Sequence, residues 1–321
     1  MRTATRTVTL IDLHPHVESM RHEVLSGLRR PQKSLPPKFF YDEEGSRLFE
    51  EITRLPEYYP TRTEIAILEG HAGEMVELMG ERPTIVELGS GNSTKVRILL
   101  DRIDGGAKYV PVDISKDLLA ESAGEIKAAY PSIEVVAVCA DYTRPFDIPA
   151  ATGAKRIVFF PGSTVGNLEP KEVQIFFATL IDELEPGDGM LIGVDLKKDR
   201  AILHDAYNDS RGVTAAFNLN VLRHINRKLH GSFDLERFTH RAFYDERAGR
   251  IEMHLVSTTD QIVSVGGERI GFTAGETIHT ESSYKYSVDE FRELATETGF
   301  TPRSVWTDPD SLFSVHYLEV E

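Results

Sequence analysis

The stretch TIVELGSGNSTK, residues 84–95, decides the fold class of this chain. Its first five residues form a short apolar run typical of a buried strand, and Gly89-Ser90-Gly91 predicts a tight turn into a helix. Glycines at such a turn let the backbone approach a ligand, because no Cβ stands in the way. A second apolar run ends in Asp113, about where an acidic residue meets ribose hydroxyls in nucleotide-binding βαβ units. The stretch therefore predicts a nucleoside-binding strand–turn–helix.

The turn lacks the third glycine of the dinucleotide-binding fingerprint. A G-x-G-x-x-G sequence would require glycine at position 94, where this chain has Thr94. Together with Glu87 before the first glycine, this departure favours an adenosine-type ligand such as S-adenosylmethionine over a pyrophosphate. Gly89 and Gly91 alone are also compatible with a plain strand–turn–helix.

Strand-like and helical segments alternate from residue 84 onwards. This alternation predicts right-handed crossovers and a mainly parallel sheet. Residues 197–245 are predicted to be mostly helical, and 251–273 to form short antiparallel strands. A helix and a closing hairpin are predicted after residue 286, and Thr61 with Glu64 predicts the capping box of an earlier helix. The apolar runs that predict the parallel strands are 84–88, 108–112, 134–139, 156–160 and 189–194.

The interruption of the alternating pattern predicts two domains. We expect 62–196 and 286–321 to form the nucleoside-binding domain. A second, α+β domain is expected from 1–61 and 197–285, over the tips of the strands. Ligands bind at the carboxyl ends of the strands in open α/β sheets, so the second domain would form the other wall of the cleft.

Composition argues against several classes of function. The chain has 51 acidic and 36 basic side chains among 321 residues, and its net charge of −15 disfavours a nucleic-acid partner. No run approaches the ~18 apolar residues of a membrane span. The one cysteine, Cys139, permits no intrachain disulfide, and the eleven histidines show no metal-ligand spacing. We therefore expect a cytoplasmic, monomeric enzyme with a small-molecule substrate and no metal, nucleic-acid or membrane partner.

The loops after the predicted strands carry candidate ligand-binding residues. Lys95, in the first turn of the helix after the glycines, is placed to pair with a cofactor carboxylate. Asp141 is placed to accept from an adenine amino group, with Tyr142 covering the ring, unless this aspartate only forms a turn or cap. The loop FFPGSTVGNL (159–168) ends near Asn167, whose amide both donates and accepts and so suits an amino-acid substrate. A cap of the following helix is the alternative role of Asn167.

Five segments spread over both predicted domains resemble one enzyme family. From about residue 15 to the C-terminus, the chain closely resembles the histidine Nα-methyltransferases of ergothioneine biosynthesis. The resemblance implies a class I, Rossmann-like methyltransferase domain with a mainly parallel seven-stranded sheet, plus a substrate-binding α+β domain. It also implies trimethylation of L-histidine to hercynine, with S-adenosylmethionine as the methyl donor. The segments are KSLPPKFFYDEEGSRLFEEITRLPEYYPTRTE (33–64), VELGSG, FFPGSTVGNL, GVTAAFN (212–218) and IEMHL (251–255).

The resemblance further assigns residues to two sites. Tyr207 and Asn167 would hold the α-carboxylate and the amine, with Asn167 and Tyr41 as the candidates to act in catalysis. Glu281 and Ser283 would bind the imidazole. The cofactor positions that the resemblance assigns are Gly89, Lys95, Asp113, Asp141 and Tyr142, to which the glycine turn itself adds Gly91. The amino-acid site maps onto Tyr58, Asn167, Tyr207, Met253, Glu281 and Ser283, with Gly162 and Tyr41 near the amine.

The segment Glu281-Ser282-Ser283 has a physical basis for recognising imidazole. Residues two apart in a strand point to the same side, so Glu281 and Ser283 would reach both ring nitrogens. Leaving such a buried group unpaired costs about 1–3 kcal/mol, enough to reject an aliphatic side chain. An exposed turn is the alternative for this segment.

Other functions fit parts of the pattern. An N-methyltransferase acting on another aromatic amino acid, such as tryptophan or tyrosine, is one alternative, although an indole would not need a buried carboxylate at Glu281. An oxidoreductase on a Rossmann sheet is another, and Thr94 weighs against it. A regulatory module would bind S-adenosylmethionine without producing a methylated amine.

Overall fold

The computed structural model describes residues 8–13, 17–144, 146 and 154–321. Short 3₁₀ helices occur at Pro37–Phe40, Thr164–Asn167 and Leu235–Arg237. None of the helices in these ranges is long and apolar enough to cross a lipid bilayer. The α-helices are α1 (Val17–Leu28), α2 (Glu43–Thr53), α3 (Tyr59–Met79), α4 (Thr94–Leu100), α5 (Lys116–Ala129), α6 (Pro170–Glu183), α7 (Arg200–Tyr207), α8 (Val213–Leu229) and α9 (Val288–Glu297).

The strands follow the predicted apolar runs closely in the middle of the chain. The five runs predicted as parallel strands are confirmed to within one residue at each end. The strands are β1 (Thr9–Asp12), β2 (Lys33–Ser34), β3 (Thr84–Leu88), β4 (Lys108–Asp113), β5 (Glu134–Cys139), β6 (Arg156–Phe160), β7 (Gly189–Asp195), β8 (Phe238–Asp245), β9 (Arg250–Ser257), β10 (Gln261–Val265), β11 (Glu268–Phe272), β12 (Thr277–Tyr284), β13 (Phe300–Thr307) and β14 (Phe313–Val320).

The chain divides into two compact units. Unit 1 consists of Met1–His14, Pro60–Lys197 and Tyr286–Glu321, and unit 2 of Pro15–Tyr59 and Lys198–Lys285. The prediction that the whole of 1–61 lies in the second domain is wrong for β1, which belongs to unit 1. The physical reason is backbone pairing, because β1 runs parallel to β5 and extends its sheet. Residues 1–7 and 14–16 of that predicted segment lie outside the described residues.

Unit 1 contains an eight-stranded sheet in the order β1-β5-β4-β3-β6-β7-β14-β13. In this order, each strand from β1 through β5, β4, β3 and β6 to β7 is parallel to its neighbour. By contrast, β14 runs antiparallel to both β7 and β13. This mainly parallel α/β sheet with a closing hairpin confirms the predicted fold class. The predicted count of seven strands is one too low, because β1 (TLID) has mostly exposed side chains and no buried apolar run to reveal it.

The glycine turn begins at the carboxyl end of a fully buried strand. All five residues of β3 are buried, as expected for a parallel strand covered on both faces. The backbone N–H of Gly89 donates to the Val112 carbonyl of β4 at 2.8 Å, so the chain leaves the sheet where the turn was expected. The ends of β3 and β4 therefore bring the turn and Asp113 together.

Unit 2 contains a four-stranded sheet in the order β2-β12-β9-β8 and a separate β10–β11 hairpin. The antiparallel strands predicted within 251–273 are confirmed. The expectation that 197–245 is mostly helical holds for α7 and α8 but is wrong for β8. The sequence FTHRAFYD of β8 is rich in aromatic residues that favour strands, and it pairs with β9 along its whole length.

A β-bulge in β12 decides which side chains share a face of this sheet. His279 lies opposite His254 of β9, yet Glu281 lies opposite Met253, so one residue of β12 is extra at Thr280. The hydroxyl oxygen of Thr280 lies 3.0 Å from the Met253 carbonyl oxygen. The bulge therefore places Glu281 with Met253 and leaves His279 on the other face with His254.

Candidate functional site

The glycine turn holds the carboxylate of Asp113. The backbone N–H of Gly91 donates to Asp113 Oδ2 at 3.0 Å, and that of Ser115 donates to Oδ1 at 2.8 Å. Gly89 and Gly91 have φ angles of 70° and 50°, in the left-handed region that favours glycine. Burial raises the pKa of Asp113, while these backbone hydrogen bonds oppose the rise. Asp113 is thus fixed at the edge of the turn.

Space and an unpaired polar atom at this turn fit a bound ligand. A Cβ built on Gly91 would meet nothing within 4 Å. The hydroxyl of Ser90 is buried and has no hydrogen-bond partner among the described residues. An unpaired buried hydroxyl costs about 1–3 kcal/mol, so a polar ligand that forms a hydrogen bond with Ser90 would remove this cost. These observations match the polar, open cradle that a nucleoside-type cofactor requires.

A buried carboxylic acid lies at the end of β3, immediately before the turn. Glu87 is 2% exposed, and one oxygen of its carboxyl group accepts from the hydroxyl of Tyr109. The Tyr109 hydroxyl is also 2.9 Å from Ser93 Oγ, which lies in the turn. Burial raises the pKa of Glu87 to about 8, although the Tyr109 hydrogen bond and the charge of Lys95 lower it in part. Glu87 therefore ties the turn to β4 and holds a proton at neutral pH.

Lys95 is paired with a buried glutamate, Glu64, which was predicted to complete a helix capping box. Lys95 Nζ lies 2.5 Å from Glu64 Oε2, and both carboxylate oxygens of Glu64 accept from the Gly162 backbone N–H at 2.9 Å. The predicted capping box of Thr61 and Glu64 is wrong, because α3 already begins at Tyr59. Helical spacing could have predicted that Glu64 is buried, since Glu64 lies on the same face of α3 as the buried Leu68.

Asp141 and Tyr142 lie at the end of the third predicted strand and its loop. Asp141 Oδ1 accepts from the Thr143 backbone N–H at 3.1 Å and from its hydroxyl at 2.5 Å, so the expected turn role describes part of its contacts. The Tyr142 ring packs edge-on against Phe160 at 5.5 Å, and its Cε1 lies 3.7 Å from a Cβ built on Gly89. Burial raises the pKa of the Tyr142 hydroxyl, which stays neutral. The ring thus lies beside the glycine turn.

The loop that follows β6 is held by its own side chains. Ser163 has φ 56°, and its hydroxyl accepts from the Asp195 backbone N–H at 2.9 Å. Asn167 ends the 3₁₀ helix Thr164–Asn167, and the N-cap of α6 is Glu169 in a capping box with Glu172. The capping alternative for Asn167 is therefore wrong. Its amide is half-buried at the end of this loop.

In unit 2, β12 presents the residues expected to recognise imidazole. Glu281 is 8% and Ser283 4% exposed, and they lie opposite Met253 and Ile251 of β9. The alternative of an exposed turn is therefore wrong. Burial raises the pKa of Glu281 to about 7, and the charge of Lys285 opposes this rise. The strand presents an acidic group and a hydroxyl on one face, two residues apart.

The tyrosines expected at the amino-acid site belong to one aromatic group in unit 2. Tyr58 meets Tyr207 edge-on with ring centres 6.4 Å apart. Phe49 contacts both Tyr58, at 6.4 Å, and Tyr41, at 5.7 Å. Phe217 of α8 lies 5.8 Å from Tyr41. The predicted site did not include Phe49 and Phe217, which contact the predicted tyrosines, although both lie in segments that carry the resemblance.

One group of side chains in the described ranges has the donor set of a metal site: Glu252, His254 and His279. The Glu252 carboxylate accepts from the Arg250 guanidinium at 2.9 and 2.6 Å, and His254 Nε2 lies 2.8 Å from its other oxygen. Arg250 already balances the charge of Glu252. We therefore interpret the group as an ion-pair network on the sheet face opposite Glu281.

Comparisons with known proteins agree with these features. The family model described as "Histidine-specific methyltransferase, SAM-dependent" matches residues 20–320. The histidine N-alpha-methyltransferase of Mycolicibacterium smegmatis is 44% identical over 303 residues, covering 93% of this chain and 94% of that protein. The enzyme of the same name from Mycobacterium tuberculosis is 42% identical, covering 90% and 91%. Ergothioneine biosynthesis protein 1 of Neurospora crassa is 33% identical, covering 96% of this chain and 36% of that protein.

Proposed function

Because this chain belongs to the histidine-specific, S-adenosylmethionine-dependent methyltransferases, we propose that it methylates the α-amino nitrogen of L-histidine. Three successive transfers would give hercynine, the trimethylated betaine, in ergothioneine biosynthesis. The observation that carries the choice of substrate is the buried pair Glu281 and Ser283 on one face of β12. The two nitrogens of an imidazole point in different directions, and Glu281 and Ser283 provide one hydrogen-bonding group for each nitrogen.

In unit 1, we propose that the glycine turn and its neighbours bind the methyl donor. S-adenosylmethionine supplies an activated methyl group on a sulfonium, so no covalent enzyme intermediate is needed. Gly89 and Gly91 would lie against its methionine part, and Asp113 would accept from the ribose hydroxyls. Asp141 would accept from the adenine amino group, with Tyr142 covering the ring.

The proposed role of Lys95 is to pair with the carboxylate of the methyl donor. Its ammonium has three hydrogens, and the ion pair with Glu64 needs only one of them. A Cβ built on Gly162 would lie 3.4 Å from Lys95 Nζ, so glycine there leaves the ammonium its space. Glu64 thereby becomes a support that holds Lys95 in position.

For the amino acid, we propose that Glu281 and Ser283 bind the imidazole and that Met253, opposite Glu281, packs against the ring. The resemblance assigns the α-carboxylate to Tyr207, but the Tyr207 hydroxyl donates to Ser283 Oγ at 2.8 Å. We therefore propose that Tyr207 and Tyr58 line the site beside the carboxylate. Asn167 would orient the amine, with Gly162 in the same loop. Tryptophan and tyrosine are poorer candidates, because neither carries a second ring nitrogen for Ser283.

Catalysis requires a neutral amine in line with the methyl group. A carboxylate beside the amine would stabilise the ammonium form, whereas the amide of Asn167 orients the amine without raising its pKa in this way. Such positioning can supply about 7–11 kcal/mol of the barrier in well-oriented systems. We propose that water removes the proton, with Tyr41 as the alternative acceptor. A pH–rate profile that Tyr41→Phe leaves unchanged removes Tyr41 from the proton path, whereas a displaced profile assigns it there.

The decisive experiment is mass spectrometry of the protein incubated with S-adenosylmethionine and each of the twenty amino acids. We expect L-histidine to gain up to three methyl groups and the others to remain unmodified. Methylation of tryptophan or tyrosine in place of histidine would support the alternative acceptor. Binding of S-adenosylmethionine without any methylated product would support a regulatory module. The cytoplasmic location and the monomeric state stay predictions.

A further inference from the structure

Lys285 is a buried lysine directly after β12. It is 2% exposed, and its Nζ donates to Ser283 Oγ at 2.8 Å and to the Tyr207 hydroxyl at 3.2 Å. The ammonium also lies 5.1 Å from the centre of the Tyr207 ring, within range of a cation–π interaction. Lysine is almost never fully buried unless it is paired. The contacts with Ser283 and Tyr207 therefore call for an explanation.

The groups around Ser283 fix the direction of its hydrogen bonds. An ammonium has hydrogens but no lone pair, so Ser283 Oγ and the Tyr207 oxygen both accept from Lys285. One lone pair of a phenol oxygen is delocalised into the ring, so the Tyr207 oxygen accepts well from only one donor, and Lys285 is that donor. The Tyr207 hydroxyl therefore donates its single hydrogen to Ser283 Oγ, at 2.8 Å, and does not accept from it. Ser283 Oγ has two lone pairs, and these two donors fill both. The capacity that Ser283 keeps for a ligand is its own O–H.

We infer that Lys285 is a positioning residue that holds Ser283 as a hydrogen-bond donor, so that this position accepts only a ring nitrogen with a bare lone pair. The inference rests on the proposed function and specifies the form of the substrate. Ser283 donates to the unprotonated nitrogen, and Glu281 accepts from the N–H of the other nitrogen. A neutral imidazole in a single tautomer satisfies both groups. An imidazolium or a pyrrole offers Ser283 no lone pair.

Removing the ammonium relaxes this constraint. With methionine at position 285, the Tyr207 and Ser283 hydroxyls can exchange donor and acceptor roles. Ser283 can then donate to Tyr207. A ligand that presents a C–H to Ser283 therefore no longer leaves the hydrogen of the Ser283 hydroxyl unpaired. The variant should therefore lose selectivity for the bare nitrogen, beyond any general loss of activity.

The test compares L-histidine with β-(pyrrol-2-yl)-L-alanine and β-(pyrrol-3-yl)-L-alanine. Each analogue keeps one N–H of the ring and replaces the other nitrogen by C–H. The measured quantity is the ratio of kcat/KM for histidine to kcat/KM for the better analogue. We expect about 100-fold or more in the wild type, since an unpaired buried polar group rejects analogues strongly. In Lys285→Met the ratio should fall about tenfold, and in Lys285→Arg, which keeps the donors, it should stay within about threefold.

The outcomes separate this inference from the proposed function. Failure of the wild type to methylate histidine would overturn the proposed function. Normal methylation by the wild type with an unchanged ratio in Lys285→Met would overturn the role of Lys285 alone, because a purely structural role lowers both rates by the same factor. If circular dichroism shows Lys285→Met unfolded, Lys285→Leu replaces it, since it also removes the ammonium and keeps the Tyr207 oxygen as an acceptor for Ser283. A ratio that Lys285→Leu leaves unchanged would equally overturn the inference.

Discussion

Three carboxylates of this protein, one half-buried and two buried, differ in their surroundings. Asp113 accepts two backbone N–H groups, and Glu64 pairs with Lys95 and accepts from a backbone N–H. For Glu281, burial outweighs the opposing charge of Lys285 and raises its pKa to about 7. A carboxyl group that is costly to ionise gains most from an N–H donor, and this is what an imidazole ring supplies. The environment of Glu281 therefore suits recognition of a ligand better than maintenance of the fold.

Replacing Glu281 tests the imidazole assignment. Glu281→Ala should lower kcat/KM for histidine about 100-fold or more, because the ring N–H loses its charged acceptor. The affinity for S-adenosylhomocysteine should change less than about twofold by calorimetry, since cofactor binding is proposed for unit 1. Glu252→Gln is the matched control, because Glu252 lies on the opposite face of the same sheet and should leave turnover unchanged. A normal rate of histidine methylation by Glu281→Ala would contradict the assignment of Glu281 to the imidazole.

Replacing Asp113 should have the reverse effect. Asp113→Ala removes the acceptor proposed for the ribose hydroxyls and leaves the backbone N–H groups of Gly91 and Ser115 without their partner. We expect the dissociation constant for S-adenosylhomocysteine to rise at least about tenfold, equivalent to 1.4 kcal/mol. The KM for histidine, measured at saturating methyl donor, should change little. Unaltered cofactor affinity would show that Asp113 supports the turn without contacting the ligand.

At the scale of the element, neighbouring segments make room for buried polar groups. In β12 the bulge at Thr280 is held by Asn218 of α8, whose amide oxygen accepts from the Thr280 hydroxyl at 2.8 Å. In β7 the glycine at 193 leaves space for a side chain of α3, since a Cβ there would lie 2.1 Å from Glu64 Oε1. The bulge positions the carboxylate of Glu281, which is proposed to contact the substrate. The glycine at 193 makes room for the carboxylate of Glu64, which is proposed to act through Lys95.

The space at Gly193 can be tested against a second glycine. Gly193→Ala should lower the free energy of unfolding by about 2–4 kcal/mol, because the methyl group displaces a buried ion pair in a fully buried strand. Gly73→Ala is the matched control. Gly73 is exposed in α3, and a Cβ there meets nothing within 4 Å. This control should raise stability by about 0.5–1 kcal/mol through helix propensity alone. Equal effects of the two substitutions in urea denaturation would contradict the packing argument.

At the scale of the whole molecule, buried ionisable groups govern how stability depends on pH. Folded Glu87 keeps its proton up to about pH 8, whereas the unfolded side chain releases it near its ordinary value of 4.5. Between these values the folded state binds more protons, so the free energy of unfolding falls as pH rises. His316 acts in the opposite direction, because burial lowers its pKa to about 3 and stability falls as pH drops below 6.5.

Glu87→Gln isolates one of these contributions. Glutamine keeps an oxygen to accept from Tyr109 but cannot ionise, so the loss of stability at alkaline pH should shrink. The Tm of the variant relative to the wild type should therefore increase between pH 5 and pH 8.5, by at least about 3 °C. Thermal unfolding followed by circular dichroism at the two pH values measures this difference. A difference independent of pH would show that the pKa of Glu87 is not raised.

Local signals predicted much of the fold and part of the candidate site. Continuous apolar runs predicted the five parallel strands, since a strand buried on both faces leaves no alternation to interpret. Residues two apart in Glu281-Ser282-Ser283 were expected on one face, and the structure places both on β12. β1 and β8 were not predicted, because β1 lacks a buried run and the side chains of β8 do not alternate regularly between buried and exposed. Neither error changed the location of the glycine turn.

The sequence by itself determined the alternation of strands and helices, the glycine turn with Asp113, and the resemblance to the histidine Nα-methyltransferases. These depend on contacts near in the chain or on the order of motifs along it. Only the tertiary structure decided that Glu64 holds Lys95 and the Gly162 backbone, and that Lys285 and Tyr207 together fill the lone pairs of Ser283. The physical reason is that most of these partners are far apart in sequence. Their pairing depends on strand register, on the bulge at Thr280, and on burial that makes each unpaired polar atom costly.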